Sequence, residues 1–117
     1  FSAAFKKHKR SYIKIKNGLK NTKINYSSII YIQSDKPYIK INTEIRSILC
    51  NESLREIQKR LDSNVFLRVH RSLIVNKNYI FEMESRKNGD YDVKLTTGET
   101  VRFSRHYKIN WSSYLYH

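Results

Sequence analysis

Apolar and polar residues alternate in short runs along most of this chain, and turn-forming residues separate the runs. Residues 12–16 alternate, Asn17-Gly18 follows, and residues 19–25 alternate again. Asn-Gly between two alternating runs is a strong signal for a β-hairpin, because both residues tolerate a positive φ. The pattern therefore predicts a hairpin over residues 12–25.

Further strands are indicated by apolar or alternating segments that end at turn residues. Four apolar residues follow one another at 29–32, which predicts a central strand, because a strand that is buried on both faces does not alternate. Pro37 has no amide hydrogen to donate, so it belongs to the turn at 34–37 or to the first position of the next strand. The remaining strands are predicted at 38–42, 44–49, 80–85, 91–95 and 100–103.

The segment 66–76 changes its pattern halfway along. It reads Phe-Leu-Arg-Val-His-Arg-Ser-Leu-Ile-Val-Asn, so polar residues interrupt its first half and an apolar run fills its second half. We interpret it as a strand that begins at the surface, presents a polar cluster and enters the core at Leu73. A cluster anchored in this way is suited to recognition. Its members are Arg68, His70, Arg71 and Ser72.

Two short helices complete the prediction. Ser53 and Glu56 form a capping-box pattern, and apolar residues then fall on one face of a helix over residues 53–61. Ser104 can cap a final helix with an apolar face, formed by Tyr107, Trp111, Tyr114 and Leu115. About nine short strands and two short helices predict a mainly β domain of small antiparallel sheets.

The charge of the chain indicates the class of its partner. Its 117 residues, enough for one domain, contain 23 Lys and Arg against 10 Asp and Glu, which gives a net charge of +13. Such a balance is typical of a polyanion binder, because neutralising phosphates releases counterions. The alternatives are a cationic surface without a partner, a ribosome-like protein and a protein that binds an anionic membrane.

Enzyme and metal chemistry find little support in the sequence. Cys50 is the only cysteine, which excludes an internal disulfide and fits a cytosolic setting. His70 and Ser72 have no neighbouring carboxylate to orient the imidazole, and we find no metal-binding spacing, no glycine-rich phosphate loop and no apolar run of ~18 residues. We therefore expect no cofactor and no catalysis. A ribonuclease remains an alternative, and a stronger one is an RNA-binding module that stacks bases on exposed aromatics.

Basic residues occupy three predicted loop tips. Lys36 and Tyr38 flank Pro37, Arg71 lies in the polar cluster, and Arg105 begins the last helix, with Lys108 after it. Arginine and lysine match the acceptors on base edges in the major groove. Backbone N–H groups at the start of the last helix would offer a seat for a phosphate.

Several of these segments together resemble one family. The pattern Phe66-x-Arg68-x-His70-Arg71-Ser72, followed by Val75-Asn76, resembles the signature of LytTR DNA-binding domains. The segments 29–32 and 38–41, and the path from Leu95-x-x-Gly98 to Phe103-Ser104-Arg105, also fit that family. The likeness extends from about residue 12 to residue 115.

The resemblance implies a fold of stacked antiparallel sheets and a role for each matching residue. The loop matching Lys36 to Tyr38 and the arginine matching Arg105 would enter successive major grooves of double-stranded DNA. Arg71 would contact the DNA between them. Ser72 and Lys108 would bind the backbone, Arg68 is a further candidate contact, and His70 is expected to be a scaffold residue hydrogen-bonded near Asn76.

The resemblance also implies a setting for the domain. It would be the cytoplasmic output domain of a bacterial transcriptional regulator, such as a two-component response regulator, and would bind direct repeats in promoters. A receiver or sensor domain would belong to the full-length protein. Because the chain begins with Phe1, we expect a fragment in which residues 1–11 form a basic linker or arm and residues 12–117 form the domain.

Overall fold

Ten antiparallel strands, arranged in sheets of five, three and two, account for much of residues 11–116, which are the residues that the computed structural model describes. The strands are β1 (Tyr12–Asn17), β2 (Lys20–Asn25), β3 (Ile29–Asp35), β4 (Tyr38–Thr43), β5 (Ser47–Cys50), β6 (Phe66–His70), β7 (Leu73–Asn76), β8 (Ile80–Ser85), β9 (Tyr91–Leu95) and β10 (Thr100–Phe103). The predicted mainly β class is confirmed. The predicted basic arm at residues 1–11 falls almost entirely outside the described residues.

The five-stranded sheet lies in the middle of the molecule, with the strand order β5-β4-β3-β7-β6. Its central strand β3 pairs with β4 through Ile32 and Ile41 and with β7 through Ile32 and Ile74. Ile29 and Ile32 pack into a core shared with β1, β2 and the first helix, whereas Ile30 packs into a second core. The apolar run at 29–32 is therefore buried from both sides, as predicted.

The second core lies between the five-stranded sheet and the three-stranded sheet β10-β9-β8. Val75 from β7, Val93 from β9 and Phe103 from β10 are fully buried there. Trp111 closes this core from the C-terminal helix, with edge-on contacts to the rings of Phe103 and Tyr91 at 5.6 and 5.2 Å between centroids. The predicted apolar face of that helix is thus confirmed for Tyr107, Trp111 and Leu115, which all pack in this core.

The segment 66–76 is a hairpin and not one continuous strand. Strands β6 and β7 run antiparallel, with Phe66 opposite Asn76 and His70 opposite Leu73. Arg71 and Ser72 form the turn between them. The prediction of a single strand was wrong, because a turn of two polar residues without glycine or proline leaves the sequence pattern unbroken. The polar cluster of Arg68, His70, Arg71 and Ser72 therefore lies at the tip of a hairpin and at the end of the strand that leads to it.

The structure shifts one other predicted strand. The strand expected at 44–49 is β5, Ser47–Cys50, and residues 44–46 connect it to β4. The hydroxyl of Thr43 explains the shift, since it accepts from the amide of Arg46 at 3.0 Å and donates to its carbonyl at 2.7 Å. Cys50 is a free, buried thiol, as expected.

The helices are short and are capped as predicted. Helix α1, Leu54–Arg60, begins with a complete capping box formed by Ser53 and Glu56. Ser104 caps a 3-10 turn, Arg105–Tyr107, which continues into α2, Lys108–Trp111, and a further 3-10 segment, Ser112–Tyr116. Other 3-10 turns are Tyr26–Ser28 and Lys77–Tyr79. Among the described residues, none of the helices has the length and apolar character needed to cross a membrane.

Candidate nucleic-acid interface

Two of the predicted loop tips lie side by side because β3 and β7 are neighbours in the central sheet. Gln33 is the partner of Leu73, and just beyond them the amide of Ser34 donates to the carbonyl of Ser72 at 2.9 Å. This bond joins the β3–β4 turn, which carries Lys36 and Pro37, to the β6–β7 turn. Residues far apart in the sequence thus form one rigid edge.

A groove with a volume of about 820 Å³ separates these two turns from the start of helix α1. Four cationic residues from separate segments line it, namely Lys36, Arg55, Arg68 and Arg71. Two acidic residues also line it: the charge of Glu52 is balanced by Arg60 at 2.7 Å, and Glu56, in the capping box, leaves one negative charge against the four cations. The charge that remains available to a partner in the groove is therefore positive.

Arg55 is a lining residue that sequence reasoning missed. It was not among the candidate contacts predicted from the sequence, and the structure shows that it is exposed. The helix start faces the groove, so Arg55 lines the same groove as the β3–β4 turn. A basic residue two positions after a capping serine was the signal in the sequence, but its place in the same groove as Lys36 depends on the fold.

Arg68 fastens the β6–β7 turn from inside. Its Nε donates to the carbonyl of His70 at 2.8 Å, and one Nη donates to the carbonyl of Arg71 at 2.5 Å. The other Nη donates to Oε1 of Gln58 on helix α1 at 2.9 Å. Its guanidinium also lies over the ring of Tyr107, 5.6 Å from the centroid. Because three nitrogens are engaged within the protein, Arg68 holds the shape of the turn that presents Arg71.

His70 also supports this turn. Its Nδ1 lies 2.9 Å from Oγ of Ser72 and accepts from the amide of Ser72 at 3.1 Å. The expected scaffold role fits these contacts, but the expected partner near Asn76 was wrong, because Asn76 lies at the opposite end of the hairpin. Asn76 is fully buried and donates instead to the carbonyls of Tyr26 and Ile29, at 3.0 and 2.8 Å.

Arg105 lies outside the groove, at the other predicted tip. Its amide donates to Oδ1 of Asp90 at 2.9 Å, and its Nη1 donates to the carbonyl of Asn88 at 2.9 Å. The next amide, of His106, donates to the Ser104 hydroxyl. These bonds contradict the predicted phosphate seat, because both N–H groups at the start of the helix already have partners. The side chain of Arg105 itself is exposed.

Strand β6 connects the two parts of the site. The amide of Ser104 donates to the carbonyl of Val69 at 2.7 Å, and Nδ2 of Asn110 donates to the carbonyl of Arg68 at 3.0 Å. The segment that carries Arg105 and Lys108 is therefore docked on the strand that carries Arg68. The structure brings Lys36, Tyr38, Arg68, Arg71 and Ser72 together directly, and it places Arg105 and Lys108 on the far side of β6.

The electrostatics of this second part depend on Asp90. The hydrogen bond from the amide of Arg105 is the main reason why the pKa of the Asp90 carboxyl lies below its usual value. The guanidinium of Arg102, 3.5 Å away, lowers this pKa further. Asp90 therefore stays ionised and offers a fixed acceptor under Arg105. Within the part of the chain that the structure describes, no three His, Cys, Asp or Glu residues are placed to hold a metal ion.

Residues 20–115 match the family model described as the LytTr DNA-binding domain. The chain belongs to the LytTR family. The expected fold is supported by a solved LytTr DNA-binding domain from Bacillus cereus, which superposes with a TM-score of 0.77 at 24% identity and covers 92% of this chain and 98% of that one. This likeness concerns the fold alone.

Curated relatives of this LytTR domain are longer proteins. Sensory transduction protein LytR of Staphylococcus haemolyticus is 38% identical over 65 residues, which are 56% of this chain and 25% of that protein. Sensory transduction protein LytT of Bacillus subtilis is 31% identical over 72% of this chain and 35% of its own length. The CO-responsive transcriptional regulator RcoM of Rhodospirillum rubrum is 33% identical over 70% of this chain and 35% of its length. The chain thus spans about a quarter to a third of these relatives.

The family match also decides between the predicted classes of nucleic acid. It supports DNA binding and gives no support to the RNA-binding alternative. That alternative needed exposed aromatic residues for base stacking. Trp111 is fully buried in the second core, and Tyr91 packs against it. Trp111 and Tyr107, which lie at helical spacing, are therefore core residues, whereas Tyr38 and Phe81 are exposed.

Proposed function

We propose that this chain is the output domain of a bacterial transcriptional regulator and that its loop tips enter successive major grooves of duplex DNA. The observation that carries the proposal is the Ser34–Ser72 backbone bond, since it fixes two basic tips as one rigid unit at the edge of the central sheet. A site held on packed strands positions its side chains more accurately than a mobile loop does.

The proposal assigns separate tasks to the site residues. Arg105 is the base-reading arginine of one groove, and the turn that carries Lys36 and Tyr38 enters the next groove. Arg71 contacts the DNA between them. Ser72 and Lys108 bind phosphates. Arg68, whose guanidinium is engaged within the protein, acts on DNA through the turn that it holds.

The net charge of +13 supplies the sequence-independent part of the affinity. Arg55 adds a cation to the groove that Lys36 also lines. Because contacts to phosphates position a protein but carry no base information, we expect Arg55 and Lys108 to set affinity and Arg105 to set preference. The domain acts by binding, and the proposal needs no catalytic step.

The setting of the full-length protein is part of the same proposal. We infer that a receiver or sensor domain accompanies this one, because relatives with sensory and regulatory names are about three to four times longer than the matched region. Two such domains, each on one half-site, would occupy direct repeats in promoters. The site of action would be the bacterial cytoplasm, where the DNA is.

The test compares binding of variants to a duplex selected from random DNA and to a scrambled duplex of the same composition. If Arg105 donates two hydrogen bonds to O6 and N7 of a guanine, Arg105→Ala weakens binding to the selected duplex by about 1–3 kcal/mol and relaxes the preference at one base position. Arg105→Lys does not restore the preference, because an ammonium cannot make the planar contact with two donors. Arg71→Ala weakens binding with a smaller change in preference.

The matched control is Lys20→Ala, which removes one exposed charge from the β1–β2 hairpin, away from the groove. It should leave the preference intact. Equal weakening of both duplexes by Arg105→Ala would show that Arg105 is a phosphate contact and would remove its base-reading role. Tighter binding of single-stranded or structured RNA than of duplex DNA would favour the RNA-binding module instead.

A further inference from the structure

Three consecutive residues of the β8–β9 turn hold Arg105. The carbonyl of Asn88 accepts from Nη1 of Arg105, and the carboxylate of Asp90 accepts from its backbone amide, both at 2.9 Å. Between them, Gly89 lies against the side chain, since a Cβ at this position would be 3.3 Å from Cδ of Arg105. The turn thus contacts Arg105 at its backbone, along its chain and at its guanidinium.

We propose that this turn, residues 88–90, sets the direction of the Arg105 guanidinium and so determines base preference without contacting a base itself. The inference rests on the proposed base-reading role of Arg105. It makes Gly89 and Asp90 positioning residues for recognition, although the turn is separated from Arg105 by 15 to 17 positions in the sequence.

The chemistry of the guanidinium allows this arrangement. Arginine has five N–H donors in a fixed plane, and one bond to the Asn88 carbonyl leaves enough of them for a contact with two acceptors on a base. A long side chain that is already oriented loses less conformational freedom when it binds. Holding one Nη on the protein therefore favours a single orientation of the remaining donors.

Gly89 is required both by the turn and by the space beside it. Its φ is +97°, in the region that favours glycine, and the nearest atoms to an added Cβ would be Cδ and Cβ of Arg105 at 3.3 and 3.6 Å. Gly98, in the β9–β10 turn of the same sheet, has the same φ of +97° but has no atom within 4 Å of an added Cβ. The two glycines therefore differ in whether they contact Arg105.

Asp90 connects the turn to the start of the C-terminal helical segment. Its carboxylate accepts from the amide of Arg105, approaches Nδ2 of Asn88 at 3.4 Å and pairs with Arg102 at 3.5 Å. The lowered pKa of the Asp90 carboxyl agrees with these contacts. Asp92, two residues along, pairs with Arg86 and Arg102 but has no bond to Arg105.

The first experiment compares Gly89→Ala with Gly98→Ala in the 117-residue chain. Both variants place alanine at the same unfavourable φ, so both should lower the melting temperature, and Gly89→Ala in addition crowds the side chain of Arg105. The probe is the selected duplex and a second duplex changed at the base pair whose preference Arg105→Ala relaxes. Gly89→Ala should reduce the preference between these duplexes by about fivefold or more, and Gly98→Ala should preserve it.

The second experiment compares Asp90→Ala with Asp92→Ala. Each variant removes one carboxylate, Asp90 from the β8–β9 turn and Asp92 from β9, and raises the net charge by one, so the general attraction to phosphates changes equally. Asp90→Ala should reduce the base preference, whereas Asp92→Ala should keep it. Asp90→Asn keeps an oxygen acceptor for the Arg105 amide and should largely restore the preference, which a purely electrostatic effect would not do.

The outcomes separate this inference from the proposed function. If Arg105→Ala relaxes the preference while Gly89→Ala and Asp90→Ala leave it intact, Arg105 reads a base but the turn does not position it, and the inference alone fails. If Gly98→Ala and Asp92→Ala reduce the preference as much as Gly89→Ala and Asp90→Ala do, the effect is a general one on the sheet, and the inference also fails. If Arg105→Ala leaves the preference intact, the base-reading role of Arg105 and the positioning role of the turn are both wrong.

Discussion

Arginine residues of this domain occupy different settings, although the sequence presents them alike. Arg71 is exposed at a hairpin tip, Arg105 is held at one nitrogen, and Arg68 is held at three. A guanidinium with three protein partners has few donors left for DNA. The number of bonds within the protein therefore separates an arginine that contacts DNA from one that supports the contact.

Replacing Arg68 tests that distinction at the scale of one residue. Arg68→Ala removes bonds to two turn carbonyls and to Gln58, so the free energy of unfolding should fall by about 1–3 kcal/mol. Binding should weaken on selected and scrambled duplexes alike, because Arg71 loses its fixed position. Arg68→Lys should not recover stability, since one ammonium cannot reach three separated acceptors. Urea unfolding and binding to both duplexes measure these effects.

Arg55→Ala is the control, since it removes an exposed charge from the same groove and should leave unfolding almost unchanged. Unchanged stability in Arg68→Ala, together with a loss limited to the selected duplex, would instead make Arg68 a base-reading residue.

At the scale of elements, tyrosine hydroxyls connect segments of different sheets. Tyr31 of β3 donates to Oε2 of Glu99 in the β9–β10 turn at 2.8 Å. Tyr79, directly before β8, donates to the carbonyl of Ser27 at 2.6 Å. Burial is the main cause that raises the pKa of Tyr31 to about 12, and the bond to Glu99 adds to it. Burial is also the main cause that raises the pKa of Tyr79 to about 12, and Glu44 adds to it. Both contacts require a protonated phenol.

These raised pKa values predict alkaline unfolding. In the unfolded chain a tyrosine loses its proton near pH ~10, whereas the folded protein retains the proton to about pH 12. The stabilisation is therefore complete below pH ~10 and decreases as the pH rises through this window, because only the unfolded state releases protons there. The urea midpoint should fall steeply between these two pH values.

The double variant Tyr31→Phe with Tyr79→Phe should have a lower midpoint at neutral pH and a flatter decline above pH ~10. Tyr38→Phe, at an exposed position, is the control and should follow the original chain. A decline of equal steepness in the double variant would show that other groups cause the alkaline unfolding.

At the scale of the whole molecule, the net charge of +13 predicts a steep dependence of DNA affinity on salt. The logarithm of the binding constant should fall linearly with the logarithm of salt concentration, by roughly 0.9 for each phosphate contact. Lys108→Ala should flatten this slope by roughly one unit and keep the base preference, because a phosphate contact carries no base information.

Binding to the selected duplex over a series of salt concentrations measures the slope. Lys20→Ala serves again as the matched loss of one charge, and its slope should stay close to that of the original chain. If the slope is the same with and without Lys108, then Lys108 is not a phosphate ligand.

Much of the local structure could be predicted because its causes are local. The capping box needs only Ser53 and Glu56, three positions apart, and the first hairpin needs Asn17-Gly18 between alternating strands. The basic tips and the family signature were also visible in the sequence. The break between β6 and β7 was missed because Arg71-Ser72 contains neither glycine nor proline.

The sequence by itself determined the mainly β class, the family, the cationic character and which arginines to consider. Only the tertiary structure decided which of them are exposed and which are held. The pairing of β3 with β7 joins Ser34 to Ser72, and the docking of the last helical segment joins Arg105 to Asn88. The physical reason is that a hydrogen bond between distant segments depends on how sheets pack, and the residues near either partner carry no record of that packing.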